Sequence, residues 1–216
     1  MWSTRRLPQT LQTTSFARRI ERITGELGEE ALDLTVSDPT SDFSDHRRRM
    51  ADRLVDAADR LADEPYTPEA TGLSEARRAI VDYYVERGCR LQVDDILLSA
   101  STSEAYSWLA KLVADPGGEV LVPTPSYPLF EHLLGLESVE PTPYPLRFDG
   151  RWHTDTRQLG EQLACLDRPA ALFYVSPNNP TGHTLERREF EELAAICREY
   201  DLPLVVDEVF LDFHLG

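Results

Sequence analysis

Apolar positions in this chain fall into two patterns. The first is a short run of branched or aromatic residues that stops at a polar one. It occurs in Asp95–Ala100, in Gly118–Pro123, in Ala171–Ser176 and in Leu204–Phe210. Such runs read as strands of a parallel sheet covered on both faces. The second is helical recurrence. In Leu185–Tyr200 the residues Phe190, Leu193, Ala194, Cys197 and Tyr200 share one face, Glu and Arg cover the other, and Thr184 is placed as N-cap. Further helices are expected over His46–Ala62, with Met50, Leu54, Ala57, Ala58 and Leu61 on one stripe, and over Ser74–Arg87, Glu104–Ala114 and Thr156–Leu166. The proline-rich span Val139–Trp152 reads as a β edge and loop.

Strands alternating with helices from Ile96 to Phe210 predict one α/β layer structure. In such a sheet, ligands bind beyond the carboxyl ends of the strands, so Asn179 and Asp207 are expected side by side over one pocket. Ser101, Thr102 and Ser103 open a helix directly after a strand, where unpaired backbone N–H groups and the helix dipole favour an anion such as phosphate. Tyr127 follows another strand end, where its ring can stack on a flat ligand.

Composition narrows the function. At 216 residues the chain is long enough for one sizeable core, and no run of 18 apolar residues suggests a membrane span. A net charge of −16 argues against nucleic acid and anionic membrane as partners. Cys89, Cys165 and Cys197 have no paired spacing and read as reduced thiols of a cytoplasmic protein. The scattered histidines predict no metal site. The N-terminus has arginines without an apolar stretch behind them, so no signal peptide is expected. Lys111 is the single lysine among the 22 basic residues, and its apolar helix neighbours place its ammonium at the surface.

The turn Asn178-Asn179-Pro180-Thr181-Gly182, followed by Val206-Asp207-Glu208-Val209-Phe210, resembles the class I/II aminotransferases. So does Asp115-Pro116-Gly117-Gly118-Glu119-Val120 followed by Pro125-Ser126-Tyr127-Pro128. The resemblance implies the three-layer α/β/α large domain of fold type I and the cofactor pyridoxal 5'-phosphate (PLP). It assigns Asp207 to the ring nitrogen, Asn179 to the phenolic oxygen O3′, Tyr127 to the ring face and Ser101 to Ser103 to the phosphate. Tyr66 matches a tyrosine that reaches a neighbour's phosphate across a homodimer, and Phe210 stands where many members have a tyrosine. Asp38 replaces an asparagine of the arm that lies over substrate. The implied division is an arm over residues 1–45 and a partial PLP-binding domain over 46–216.

The family's covalently binding lysine, which forms a Schiff base with PLP, follows the aspartate strand, and no such lysine occurs before Gly216. The expectation is therefore a chain truncated before the later strands and the small C-terminal domain, inactive by itself. In full-length form it would move an amino group from an amino acid to a 2-oxo acid. A PLP lyase or a non-catalytic PLP-binding remnant are the alternatives.

Overall fold

A computed structural model describes residues 15–28, 44–63 and 65–213. The chain forms two compact units, one over residues 12–98 and one built on residues 99–216. The first contains α1 (Ser15–Leu27), α2 (Ser44–Leu61), α3 (Ser74–Glu86) and a 3-10 turn at Val93–Asp95. Most of the arm expected over residues 1–45, Asp38 included, lies outside the described residues. On α3, Arg77 is buried and donates to the carbonyls of Gly72 and Val93, both at 3.0 Å, which ties the start of the helix to the 3-10 turn. Gly72 has φ +95°, and a Cβ there would stand 2.6 Å from the Leu98 side chain, so the position requires glycine.

The strand expected over Asp95–Ala100 is absent. Asp95 closes the 3-10 turn, and the Leu98 N–H is taken by the Thr71 carbonyl at 3.0 Å rather than by a sheet ladder. The α2 stripe is also not buried as its periodicity suggests, with Leu54 66% exposed.

The second unit is a five-stranded sheet in the order β3-β2-β1-β4-β5. Its strands are β1 (Glu119–Thr124), β2 (Glu140–Phe148), β3 (Trp152–Thr154), β4 (Pro169–Val175) and β5 (Leu204–Asp207). All pairings are parallel except β2 with β3, so the sheet is mixed. Successive residues of β1 and β4 point to opposite faces. Val120, Val122, Phe173 and Val175 pack with α4 (Thr102–Val113) and α5 (Phe130–Leu136) on one side. Leu121, Leu172 and Tyr174 pack with α6 (Thr156–Leu163) and α7 (Arg187–Glu199) on the other. This is the expected three-layer α/β/α arrangement.

Four local departures have physical reasons. The proline-rich span is mostly the nine-residue β2. Glu140 N–H donates to Gly118 O on the β1 side, so alternate residues Pro141, Pro143 and Pro145 direct their missing N–H groups away from that ladder. The helix α5 had no strong pattern, being seven residues directly after a proline-containing turn. Helix α4 starts at Thr102 rather than Glu104, with Ser101 as its cap: Ser101 Oγ accepts from Glu104 N–H at 3.2 Å, and the Glu104 carboxylate accepts from Ala100 N–H at 2.6 Å. Thr184 is not the cap of α7, which starts after Glu186, because Leu185 N–H is held by Ser176 Oγ at 2.9 Å one loop earlier.

Candidate active site

The chain leaves β1 for β2 on one side and returns to β4 on the other, so the strand order reverses between β1 and β4. A crevice beyond the carboxyl ends of strands is expected there. The two loops that meet at this point are locked by Asn178, which is 3% exposed. Its amide donates to Pro125 O at 3.0 Å and to Thr181 Oγ1 at 2.8 Å, while Ser126 Oγ donates to its Oδ1 at 2.6 Å. Gly182, at φ +68°, closes the turn by donating to Asn178 O at 2.7 Å. Next to this lock, Asn179 is half-buried and its side-chain amide has no hydrogen-bond partner among the described residues.

Asp207 ends β5 and faces Val175 of β4 in the ladder. Its Oδ1 accepts from Val209 N–H at 2.8 Å and its Oδ2 from the Tyr106 hydroxyl at 2.6 Å. Tyr106 belongs to α4 and is 3% exposed. Its ring stacks on Tyr127 with centroids 6.3 Å apart and meets Phe130 edge-on at 5.1 Å. The Tyr127 hydroxyl lies 3.4 Å from Ser103 Oγ. A continuous set of contacts thus links Ser103, Tyr127, Tyr106 and Asp207. Burial first, and then the bond to Asp207, push the Tyr106 phenol far above its ordinary pKa. Burial and the Asp207 charge also raise the Glu208 carboxyl.

The other residues picked from the sequence are placed less centrally. Ser101 is engaged as the cap of α4, and Thr102 is exposed. The N–H groups of Thr102 and Ser103 have no acceptor among the described residues, as the first amides of a helix require an outside partner. Phe210 is half-buried and packs edge-on against Phe213 at 6.4 Å. Tyr66 belongs to the other unit and is 92% exposed. Lys111 Nζ donates to Ser107 Oγ at 2.7 Å and to Glu137 Oε1 at 2.8 Å on the solvent side of α4, as its pattern suggested. Sequence reasoning passed over Tyr106 and took Asn178 only as part of a turn. A tyrosine four residues before Ala110 on the buried face of α4 was the available signal, since a buried phenol needs a partner.

A second polar cluster lies on the α6–α7 side. Glu189 Oε1 accepts from Thr154 N–H at 2.8 Å and from the Tyr174 hydroxyl at 3.0 Å, while Oε2 stands 2.9 Å from His183 Nε2. Burial raises the Glu189 carboxyl, but the bonds from His183 and Thr154 outweigh it and leave it below its ordinary value. A hollow of about 220 Å³ adjoins this cluster. Its carboxylate already has three protein partners, so volume alone does not make it the reactive site.

The groups gathered here fit PLP by their chemistry. They comprise a carboxylate, an unpartnered amide, an aromatic ring and a hydroxyl beside open helix amides. The model of the aminotransferase class I and II family matches residues 29–216, and the chain belongs to that family. It is 28% identical over 195 residues to the glutamate-pyruvate aminotransferase of Escherichia coli, a match covering 90% of this chain and 46% of the relative. It is 28% identical over 186 residues to the aspartate aminotransferase of Pyrococcus horikoshii, covering 86% of this chain and 46% of that one. The solved alanine aminotransferase of Pyrococcus furiosus superposes with a TM-score of 0.71 at 28% identity, covering 89% of this chain and 49% of the other. The chain thus spans about half the length of the curated relatives it matches.

Proposed function

We propose that these residues form the cofactor-holding part of a PLP-dependent aminotransferase that moves an amino group from an amino acid to a 2-oxo acid. The observation that carries this reading is Asp207. It is a half-buried carboxylate at the end of β5, oriented by a buried phenol and a backbone amide, beside the switch point of the sheet. PLP, when bound, supplies the electron sink, and a carboxylate facing its ring nitrogen keeps that nitrogen protonated.

Asp207 takes that role. Asn179 donates to O3′ while Asn178 holds the turn that aims it. Tyr127 offers its ring face, and Thr102 and Ser103 offer hydroxyls and N–H groups to the phosphate, with Ser101 fixing the helix start. Phe210 adjoins the ring region without a hydroxyl to donate, and Tyr66 serves a neighbouring subunit in a cytoplasmic homodimer. Residues 1–45 are the arm and 46–216 the PLP-binding domain. Lys111 stands outside this set, engaged with Glu137, so these residues hold the cofactor without supplying an amine for covalent attachment.

The test is calorimetric titration of the chain with PLP. Asp207→Asn should weaken binding roughly ten- to a hundredfold, the scale of one charge-assisted hydrogen bond. Affinity for inorganic phosphate should stay the same. No PLP binding by the unmodified chain, or equal binding by the variant, would overturn the reading.

A further inference from the structure

We propose that Tyr106 is a positioning residue that sets the basicity of Asp207 and, through it, how firmly the PLP ring nitrogen holds its proton. The inference rests on the cofactor role given to Asp207 above. A carboxylate has about four acceptor sites on its two oxygens. Val209 N–H occupies one on Oδ1, and the Tyr106 hydroxyl, at 2.6 Å, occupies one on Oδ2. Acceptor sites therefore remain for a ring N–H, but on a carboxylate whose charge is already shared with a phenol.

Hydrogen bonds to the charged form of a carboxylate lower its basicity. Tyr106 can give this bond over the whole accessible pH range, because burial and the Asp207 contact keep its own proton in place. The phenol is also held in direction. Its ring is fixed between Phe130, edge-on at 5.1 Å, and Phe173 at 5.5 Å, and it is stacked on Tyr127. The same side chain thus touches the residue assigned to the ring face and the residue assigned to the ring nitrogen. It fixes the carboxylate's orientation relative to that face and moderates its pull on the proton. Tyr127 and Glu208 are the other titratable groups next to this pair. A Tyr106→Phe change leaves both of these side chains in the protein.

The experiment uses PLP labelled with nitrogen-15 in the ring, bound to the whole chain, and follows the ring-nitrogen chemical shift against pH. Tyr106→Phe keeps the buried ring and removes only the donor. The pH at which the bound ring nitrogen loses its proton should rise by roughly one unit, the effect of one hydrogen bond on a carboxylate. In an Asp207→Asn background the same change should shift nothing. A PLP analogue with CH in place of the ring nitrogen serves as the control. Its affinity should be the same for the unmodified chain and for Tyr106→Phe.

If the midpoint is unmoved or falls, or if both ligands weaken equally, Tyr106 is a packing residue and the inference is wrong although Asp207 keeps its role. Circular dichroism of the variant distinguishes these outcomes from misfolding. Failure of PLP to bind the unmodified chain would instead overturn the reading of Asp207, and this inference with it.

Discussion

Two buried tyrosines of the α/β unit donate to carboxylates on opposite faces of the sheet, and the company each carboxylate keeps is different. Tyr174 reaches Glu189, which also takes the Thr154 amide and stands against His183, so it has three partners inside the protein. Tyr106 reaches Asp207, whose other hydrogen bond comes from one backbone amide, that of Val209. A carboxylate with three such partners is a buttress, because every group it bonds would be orphaned by its loss. One with fewer partners, at a strand end, keeps more acceptor sites for a ligand. A hollow of about 220 Å³ lies beside Glu189.

The sharpest way to break the comparison is to remove the buttress. Glu189 and His183 side chains are 10% and 9% exposed, so Glu189→Ala leaves His183, Tyr174 and the Thr154 amide without their acceptor. The expected cost is about 3 kcal/mol of folding stability, the scale for removing one member of a buried pair. PLP affinity of the folded fraction should stay within about twofold, since the cluster lies on the other face. Chemical denaturation and PLP titration of the same variant check both halves. A variant that folds normally but loses PLP would exchange the roles assigned to the two carboxylates.

A smaller effect from the same group is its pH dependence. The folded Glu189 carboxyl lies below its ordinary pKa, so the unfolded state binds the proton more tightly than the folded one. Its contribution to stability is complete above the unfolded pKa and is lost as the pH falls through the folded value. As the pH falls below the ordinary glutamate range and through the lowered folded value, the unmodified chain should therefore lose more stability than Glu189→Gln, which has no proton to take up. Parallel slopes of unfolding free energy against pH in that window would show that Glu189 gains nothing from its partners.

The same contrast explains what was readable in the sequence. Buried parallel strands such as Ala171–Val175 are continuous apolar runs, and β1, β4 and β5 were all legible for that reason. Ile96-Leu97-Leu98 has the same character but forms no ladder, because Thr71 takes the Leu98 N–H and Leu97 is left 57% exposed. Local pattern does not report which partner a backbone group finds. The α2 stripe shows the same limit, since its period is right and yet Met50 and Leu54 are exposed. At the site, Asp207 and Asn179 were legible as polar residues after apolar runs. The phenol that orients Asp207 was not, because Tyr106 lies 101 residues away in the chain.

The smallest expected effect divides the two roles of the serine turn. Ser101 Oγ accepts from Glu104 N–H and so caps α4, whereas Ser103 Oγ lies 3.4 Å from the Tyr127 hydroxyl and has no capping bond. Ser101→Ala should therefore lower stability by about 1 kcal/mol, the usual value of an N-cap. Ser103→Ala should leave stability within about 0.5 kcal/mol, as for a substitution away from any such feature. It should instead weaken PLP binding by about tenfold, the lower end for a hydrogen bond to a charged group. The two side chains stand on one turn with similar chemistry, so composition cannot separate them and only direction does. Thermal unfolding and PLP titration of both single variants provide the check. If Ser103→Ala destabilises the helix and Ser101→Ala weakens PLP, the turn faces its ligand the other way round and the phosphate donors have been assigned to the wrong side chains.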